Sequence, residues 1–174
     1  MSKKPETEIG TTLVKTTFGW VGMAWSAQGL VGTTLPRATE AEAATGLPAA
    51  SDREPAAAAG LDVALLADKM RRYFEGEAVA FDEPLDPSIG TEFQKRVWAI
   101  TQAIPRGQTR TYGQVARQAG STVGAARAVG QAMARNPWPV IVPCHRVVGH
   151  DGRLTGFGGG VHMKQQMLNM EAEI

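Results

Sequence analysis

A glycine turn between two short helical segments restricts the fold of this 174-residue chain more than any other feature of its sequence. The stretch TYGQVARQAG predicts a helix that ends at Gly120. The following stretch predicts a second helix, which begins at Ser121 or Thr122 as the N-cap residue and ends before Pro137. Two short helices joined by a glycine-containing turn form a helix-turn-helix pattern, here at about 112–135. Many helical pairs share this pattern, so it does not assign a function by itself.

The second helix has one apolar and one basic side. Val129 and Met133 point one way, whereas Arg127, Gln131 and Arg135 recur every four residues on the opposite side. Interior glycine costs a helix about 1 kcal/mol relative to alanine, so small residues here indicate that another surface approaches the backbone closely. That surface is either a neighbouring helix or a nucleic-acid backbone, and the arginines favour the nucleic acid. The small residues are Gly124, Ala125, Ala126, Ala128 and Gly130.

The preceding segments predict a small sheet followed by helices. Residues 11–35 contain three runs of β-branched and aromatic residues separated by glycines, which predict short strands. Residues 36–60 are rich in alanine, proline and glutamate, and they form either a surface helix or a poorly ordered excursion. A helix is expected at about 61–75, and a linker with two prolines at 81–90. Thr91 is the expected N-cap of a further helix, whose apolar face consists of Phe93, Val97, Ile100 and Ile104.

Composition and charge restrict the class of protein. A hydrophobic content of 43% and a charged content of 20% are typical of a soluble globular protein. The single cysteine excludes an internal disulfide, and no Cys/His cluster has zinc spacing, so we expect no metal. No secretory signal or membrane span is visible, which favours a cytoplasmic protein. Residues 1–90 carry a net charge of −5 and residues 91–174 one of +6, which indicates either two differently charged surfaces or a basic half that meets a polyanion.

The only cysteine follows a run of β-branched residues in the stretch PVIVPCHRVV. The run predicts a buried extended segment, and Pro143 disfavours helix at Val142, so Cys144 is expected where a rigid strand ends. A thiol becomes a good nucleophile when a base or a cation lowers its pKa, and His145 and Arg146 provide one of each. The histidine can reach the thiol only if the backbone turns there. The alternative is an inert buried cysteine beside a surface histidine.

The complete string of motifs resembles one family. The stretches IPRGQTRTYGQVA, GAARAVGQAMARNPWPVIVPCHRVVGHDGRLTGFGGG and KQQMLNMEA are similar to the O6-alkylguanine-DNA alkyltransferases, also called methylated-DNA–protein-cysteine methyltransferases. The resemblance covers about residues 91–171, and PCHRV is its most specific motif. It implies an α/β (α+β) fold with two domains. A variable sheet-containing domain is expected at 1–85, on position alone, and a mostly helical domain for DNA binding and alkyl acceptance at 86–174.

The resemblance also implies an activity. The chain is expected to repair DNA by moving an alkyl (methyl) group irreversibly from O6 of guanine to Cys144, once per molecule and without a cofactor. His145 then acts as a base through a water, and Glu171 orients the histidine. Tyr112 matches the tyrosine that hydrogen-bonds the guanine at N3. Asn136 matches the asparagine that braces the turn between the second helix and the cysteine.

The same resemblance implies a mode of DNA binding. The target base must leave the duplex, and Arg127 matches the arginine that replaces it in the stack after an approach through the minor groove. The expected partner is double-stranded DNA carrying O6-alkylguanine, bound by a monomer with no obligate protein partner and no membrane. The DNA surface is expected to include Gln94, Ala125, Ala126, Ala128 and Gly130. The guanine pocket is expected to be lined by Met133, Pro139, the Val147 carbonyl, Phe157, the Gly158 N–H and Gly159.

Some positions depart from the family pattern, and other functions remain open. Phe157-Gly158-Gly159 stands where some members have Tyr-Ser-Gly, so no side-chain hydroxyl acts there, and the glycine rim predicts room for bulkier alkyl groups. Trp138 is expected in the pocket wall. A cysteine hydrolase would need an oxyanion hole, and a damage-binding protein of the alkyltransferase-like kind would lack the cysteine. A plain helix-turn-helix regulator would not need Cys144.

Overall fold

The computed structural model describes residues 6–120 and 125–173, and all structural statements below refer to these residues. The chain divides into two compact units between Ser88 and Ile89, three residues beyond the boundary expected from the sequence. The first unit contains a three-stranded antiparallel sheet, and the second is mostly helical. The predicted mixed α/β (α+β) class is therefore confirmed.

The sheet of the first unit confirms the strands predicted within residues 11–35. β1 (Gly10–Thr16), β2 (Gly19–Ser26) and β3 (Gly29–Thr33) pair antiparallel in sequence order. β2 is the central strand, and its last six residues are all buried. The sheet thus supplies the apolar surface on which the rest of this unit packs.

Residues 81–90 were expected to form a linker, but most of them belong to the first unit. Leu30 donates its N–H to the carbonyl of Pro84, and Asp86 donates its N–H to the carbonyl of Leu30, both at 2.9 Å. Pro84 takes part in this pairing only through its carbonyl, so the lack of an N–H on proline does not interrupt the hydrogen bonds. Gly29, with a φ of +141°, allows a close approach, because a Cβ there would lie 2.8 Å from the nitrogen of Asp86.

Two helices complete the first unit. α1 (Glu40–Thr45) is the only helix that the structure describes within residues 36–60. α2 (Val63–Phe74) confirms the helix predicted at about 61–75, and Asp62 caps it by accepting the N–H of Leu65 at 3.0 Å. The helix packs on β1 and buries Leu66, Met70, Tyr73 and Phe74.

The predicted pair of helices is present in the second unit. α3 (Glu92–Gln102) begins after its predicted N-cap Thr91, and α4 (Tyr112–Gln118) and α5 (Ala125–Ala134) pack against it and against each other. Gly120 follows α4 with a φ of +74°, as expected for a residue that ends a helix. The predicted caps Ser121 and Thr122, and the small residue Gly124, lie outside the described residues.

A short parallel pairing brings the start of α4 to the cysteine. β4 (Arg110–Thr111) pairs with β5 (Val147–Val148), and β5 directly follows a 3-10 turn at Cys144–Arg146. A second 3-10 turn, His150–Gly152, leads towards α6 (Val161–Ala172), which packs against the cysteine turn. Three distant parts of the sequence therefore meet around the cysteine.

Candidate functional site

Cys144 lies at the end of a buried turn and not at the end of a strand. The N–H of Val142 donates to the carbonyl of Trp138 at 2.8 Å, and the N–H of Cys144 donates to the carbonyl of Val142 at 2.7 Å. Val140 has a φ of +78°, which no strand residue adopts. The predicted extended segment is therefore wrong, although the residues are buried as expected. A short apolar run indicates burial, but the hydrogen bonds decide between strand and turn.

Asn136 holds this turn from the end of α5. Its Nδ2 donates to the carbonyl of Val142 at 2.8 Å, and its Oδ1 accepts the N–H of Trp138 at 2.9 Å. The same side chain acts on the Cys144 thiol by lowering its pKa against the effect of burial. One amide thus fixes both ends of the turn, which is the kind of bracing expected for Asn136.

His145 and Glu171 form a buried pair behind the cysteine. The 3-10 turn directs His145 into the interior, where the residue is 0% exposed. Its Nε2 lies 2.6 Å from Oε1 of Glu171, which α6 presents on its inner face. A carboxylate at Nε2 favours the tautomer with hydrogen on that nitrogen, so Nδ1 is the basic nitrogen of the neutral ring.

Arg146 was predicted to be a cation that acts on the thiol, but it binds the Glu171 carboxylate instead. Its Nε donates to Oε2 of Glu171 and its Nη2 to Oε1, both at 2.9 Å, and its Nη1 donates to the carbonyl of Ile104 at 2.7 Å. The paired contact with both carboxylate oxygens fixes the orientation of Glu171. Arg146 therefore supports His145 indirectly, by holding the Glu171 carboxylate that contacts the histidine.

Burial controls the protonation of both reactive groups. It raises the pKa of the Cys144 thiol above the ordinary 9.0, against the opposing effects of the Asn136 hydrogen bond and the Lys164 charge. Burial also lowers the pKa of His145 below the ordinary 6.5, with Glu171 opposing it and the charges of Arg146 and Lys164 adding to it. At neutral pH the resting pair is therefore a thiol and a neutral imidazole.

Two residues that contact predicted site residues were not singled out from the sequence. Lys164 is 1% exposed and donates from Nζ to the carbonyl of Val147 at 2.7 Å. Thr155 donates from Oγ1 to the hydroxyl of Tyr112 at 3.2 Å. The sequence contained one usable signal, because Lys164 and Glu171 are seven residues apart and so share a helix face.

An open cleft of about 830 Å³ lies along α4 and α5 in the second unit. It brings together Tyr112, which was predicted to hydrogen-bond the guanine, and three residues that were predicted to bind DNA, namely Ala126, Arg127 and Gly130. Arg117, Gln131, His150 and Thr155 also line it. Its walls therefore carry two arginines, a histidine and polar side chains, which suits an anionic ligand.

Gly130 of α5 faces open space, and Ala126 and Ala128 are exposed. A Cβ built on Gly130 meets no atom within 4 Å, so no neighbouring helix requires glycine at this position. Arg127, Gln131 and Arg135 are exposed, whereas Val129 and Met133 are buried, as predicted. Of the two explanations for the small residues, tight helix packing is thus excluded at Gly130 among the described residues.

Several predicted residues lie away from the cleft walls. Gln94 acts in the capping box of α3, where its side chain accepts the N–H of Thr91 at 3.0 Å. Trp138 was expected in the pocket wall, but it is 3% exposed and packs edge-to-face on Trp98 at 5.5 Å. The following predicted residues are also absent from the cleft lining: Cys144, Met133, Pro139, Val147, Phe157, Gly158 and Gly159. Their assignment to a guanine pocket stays a prediction.

Two general features of the described chain bear on function. Residues 6–120 and 125–173 contain no cluster of three or more histidine, cysteine or acidic side chains that could hold a metal ion. Within the same residues, every helix is too short or too polar to cross a bilayer.

Comparison with known proteins points to one family. Residues 92–173 match the family model described as 6-O-methylguanine DNA methyltransferase, DNA binding domain. A methylated-DNA–protein-cysteine methyltransferase of Mycobacterium tuberculosis is 52% identical over 104 residues, which are 60% of this chain and 62% of that protein. One of Salmonella typhimurium is 48% identical over 106 residues, 61% of each chain. These alignments span less than two thirds of the length of either relative.

Solved structures are similar over nearly the whole chain. A crystal structure of Mycobacterium tuberculosis O6-methylguanine methyltransferase is 38% identical, with a TM-score of 0.72, and the match covers 94% of this chain and 93% of that one. The OGT of the same bacterium in complex with DNA is 37% identical, with a TM-score of 0.74 and coverage of 93% and 92%. The chain therefore belongs to the O6-methylguanine-DNA methyltransferases, that is, the methylated-DNA–protein-cysteine methyltransferase family.

Proposed function

We propose that this chain repairs DNA by transferring an alkyl group from O6 of guanine in duplex DNA to Sγ of Cys144. The observation that carries the proposal is the array of Cys144, His145 and Glu171, with a 2.6 Å contact between the last two. Such an array activates a nucleophile that is protonated at rest. The family membership supplies the reaction class.

The protons and electrons of this reaction can be followed through the site. The thiol proton passes through a bridging water to Nδ1 of His145, while the Nε2–H of the same ring remains hydrogen-bonded to Glu171. Sγ attacks the alkyl carbon, the carbon–O6 bond breaks, and its electron pair leaves with the guanine. Tyr112 donates a hydrogen bond at N3 of this leaving base, and the Gly158 N–H donates one at O6. Thr155, at 3.2 Å from the Tyr112 hydroxyl, orients that hydroxyl by donating to it.

The product of this reaction is a thioether on Cys144. Removing the alkyl group from this thioether would require the cysteine thiolate to leave from an alkyl carbon, which neither water nor an ordinary protein base brings about. One molecule therefore acts once, and the reaction as written uses neither a cofactor nor a second copy of the chain.

We further infer that the cleft along α4 and α5 is the DNA surface. Its small residues Ala126 and Gly130 let a sugar–phosphate backbone approach closely, and Arg127 projects from the same surface. The degenerate pattern of the minor groove suits a protein that must find damage in any sequence. Arg127 would fill the stack when the damaged base turns out towards Cys144.

The test of the proposed function is a measurement of stoichiometry. The chain is incubated with excess duplex DNA that carries O6-[³H-methyl]guanine, and label on the protein is counted over time. We expect label to rise to one equivalent per chain and then stop, and peptide mapping should locate it at Cys144. Label that is released continuously into solution would indicate a hydrolase, and a chain that takes no label would contradict the proposal.

Arg127→Ala tests the assignment of base flipping. We expect the rate of transfer from duplex DNA to fall about tenfold to a hundredfold, because the vacated stack costs a few kcal/mol when nothing fills it. Transfer from free O6-benzylguanine should stay within about twofold of wild type, since no base has to be unstacked. Single-turnover kinetics measure both rates.

Arg135→Ala is the matched control for this variant. Arg135 is exposed on the same side of α5 but is not part of the cleft lining, so its loss removes an equal charge from the helix. An equal loss with both substrates, or an equal effect of the two variants on the duplex, would remove the flipping role of Arg127.

A further inference from the structure

Lys164 is a buried basic residue that has no role in the reaction described above. It lies on the inner face of α6, with Met167 and Glu171, and it is 1% exposed. Lysine is almost never fully buried unless an anion accompanies it, because the ammonium loses its hydration. Its position therefore requires an explanation.

The surroundings of Lys164 contain no standing anion. Nζ donates to the carbonyl of Val147 at 2.7 Å and lies 5.9 Å from the ring centres of both Tyr112 and Phe157. No carboxylate of the described residues pairs with it, and Glu171 on the same helix is bound by His145 and Arg146. A carbonyl and two aromatic faces solvate the ammonium only in part.

The site produces a negative charge only during the reaction. Cys144 is neutral at rest, but its sulfur must carry a negative charge to attack carbon. Lys164 is anchored to Val147, the residue that ends the 3-10 turn beginning at Cys144. α6, which carries Lys164, packs directly against the 3-10 turn that begins at Cys144.

We propose that Lys164 supplies the positive charge that stabilises the Cys144 thiolate during alkyl transfer. It is a positioning residue, because it acts through the sulfur, and the Val147 carbonyl holds its ammonium in place. This role rests on the proposed function. When sulfur becomes a neutral thioether, the negative charge passes to the leaving guanine, and Lys164 remains near it beside Tyr112.

Other charged and titratable groups also surround the thiol and set its titration. His145 follows Cys144 in the same turn, and the Asn136 amide at the end of α5 lowers the pKa of the thiol against the effect of burial. Arg146 and Glu171 act behind the histidine, and Tyr112 packs on the ammonium from α4. Because Arg146 is bound by Glu171, Lys164 is the cation whose removal changes the field at the sulfur most directly.

The test measures the pH dependence of thiol alkylation by iodoacetamide in the full chain without DNA. The chain has one cysteine, so the reaction reports on Cys144 alone. We expect Lys164→Gln to move the midpoint upward by about one pH unit, so that the rate below the midpoint falls about tenfold. Lys164→Arg, which keeps the charge, should stay close to wild type.

The matched control is Lys95→Gln, which removes a charge from the surface of α3, where Lys95 pairs with Glu92. Thermal unfolding checks the fold of each variant. If Lys164→Gln does not fold, Lys164→Met, whose unbranched side chain fills similar space, takes its place. A folded neutral variant that titrates like wild type overturns the proposal.

A second arm separates this proposal from the proposed function. Transfer from duplex O6-methylguanine should fall about tenfold in Lys164→Gln and recover in Lys164→Arg. If the wild-type chain takes no label while the midpoint still shifts, the alkyl-transfer function fails and the role of Lys164 at the thiol stands. If wild type is labelled while Lys164→Gln keeps both its midpoint and its rate, only the Lys164 proposal fails.

Discussion

Cys144→Ala is expected to take up no alkyl label from duplex O6-methylguanine while still binding that DNA. The variant removes the one thiol of the chain, and no other residue lies at the end of the braced turn beside His145. The cleft that carries Arg127 is lined without Cys144, so the binding surface should be intact. Scintillation counting measures transfer, and fluorescence anisotropy with labelled duplex measures affinity.

Cys144→Ser is the matched control for the chemistry. It keeps a similar size and a hydrogen-bonding group, but a hydroxyl beside a neutral histidine is a far weaker nucleophile than a thiolate. We expect it to remain unlabelled as well, with the same DNA affinity as Cys144→Ala. Label on either variant would place the acceptor elsewhere, and a parallel loss of DNA binding would indicate that the turn had collapsed.

The elements of the fold that are set by local signals could be predicted from the sequence. Threonine caps define the starts of α3 and α4, Gly120 ends α4, and regular apolar spacing defines α2 and the buried side of α5. Glycines between β-branched runs likewise mark the strands of the first unit. In each case the residues that decide the structure are neighbours in sequence.

The features that depend on distant contacts could not be predicted in this way. Arg146 follows the cysteine, but its partner Glu171 lies 25 residues later on α6. Lys164 is buried because α6 packs on the cysteine turn, and the seven-residue spacing to Glu171 indicates only a shared helix face and not this burial. The turn before Cys144 depends on Asn136 and on a positive φ at Val140, whereas its apolar letters alone suit a strand.

These long-range contacts also place the buried cysteine next to a histidine that is held by a carboxylate. Burial keeps the thiol protonated and the imidazole neutral, so the proposed reaction begins from a neutral pair. The lowered pKa of His145 also makes the stability of the fold depend on pH. Because folding lowers this pKa below 6.5, the contribution of the buried neutral imidazole to stability is present above pH 6.5 and is lost as the pH falls below it.

Glu171→Gln is expected to slow alkyl transfer by about 10²–10⁴-fold, the range for removing a well-placed base or its orienting carboxylate. The Glu171 side chain is 0% exposed and binds both His145 and Arg146. A glutamine can donate to Nε2 of the histidine and so favour the tautomer with hydrogen on Nδ1. That tautomer cannot accept the thiol proton at the nitrogen that faces the reaction.

The same variant should also lower the free energy of unfolding, by about 3–5 kcal/mol, because it removes one partner of a buried ion pair and leaves Arg146 without its carboxylate. Glu173→Gln is the matched control, since Glu173 is exposed just after α6 and its loss should change neither quantity. Urea unfolding measures stability, and single-turnover transfer is measured at a temperature where every variant is folded. A folded Glu171→Gln chain that transfers at the wild-type rate would show that His145 works without its carboxylate, and a slowed Glu173→Gln would trace the effect to net charge.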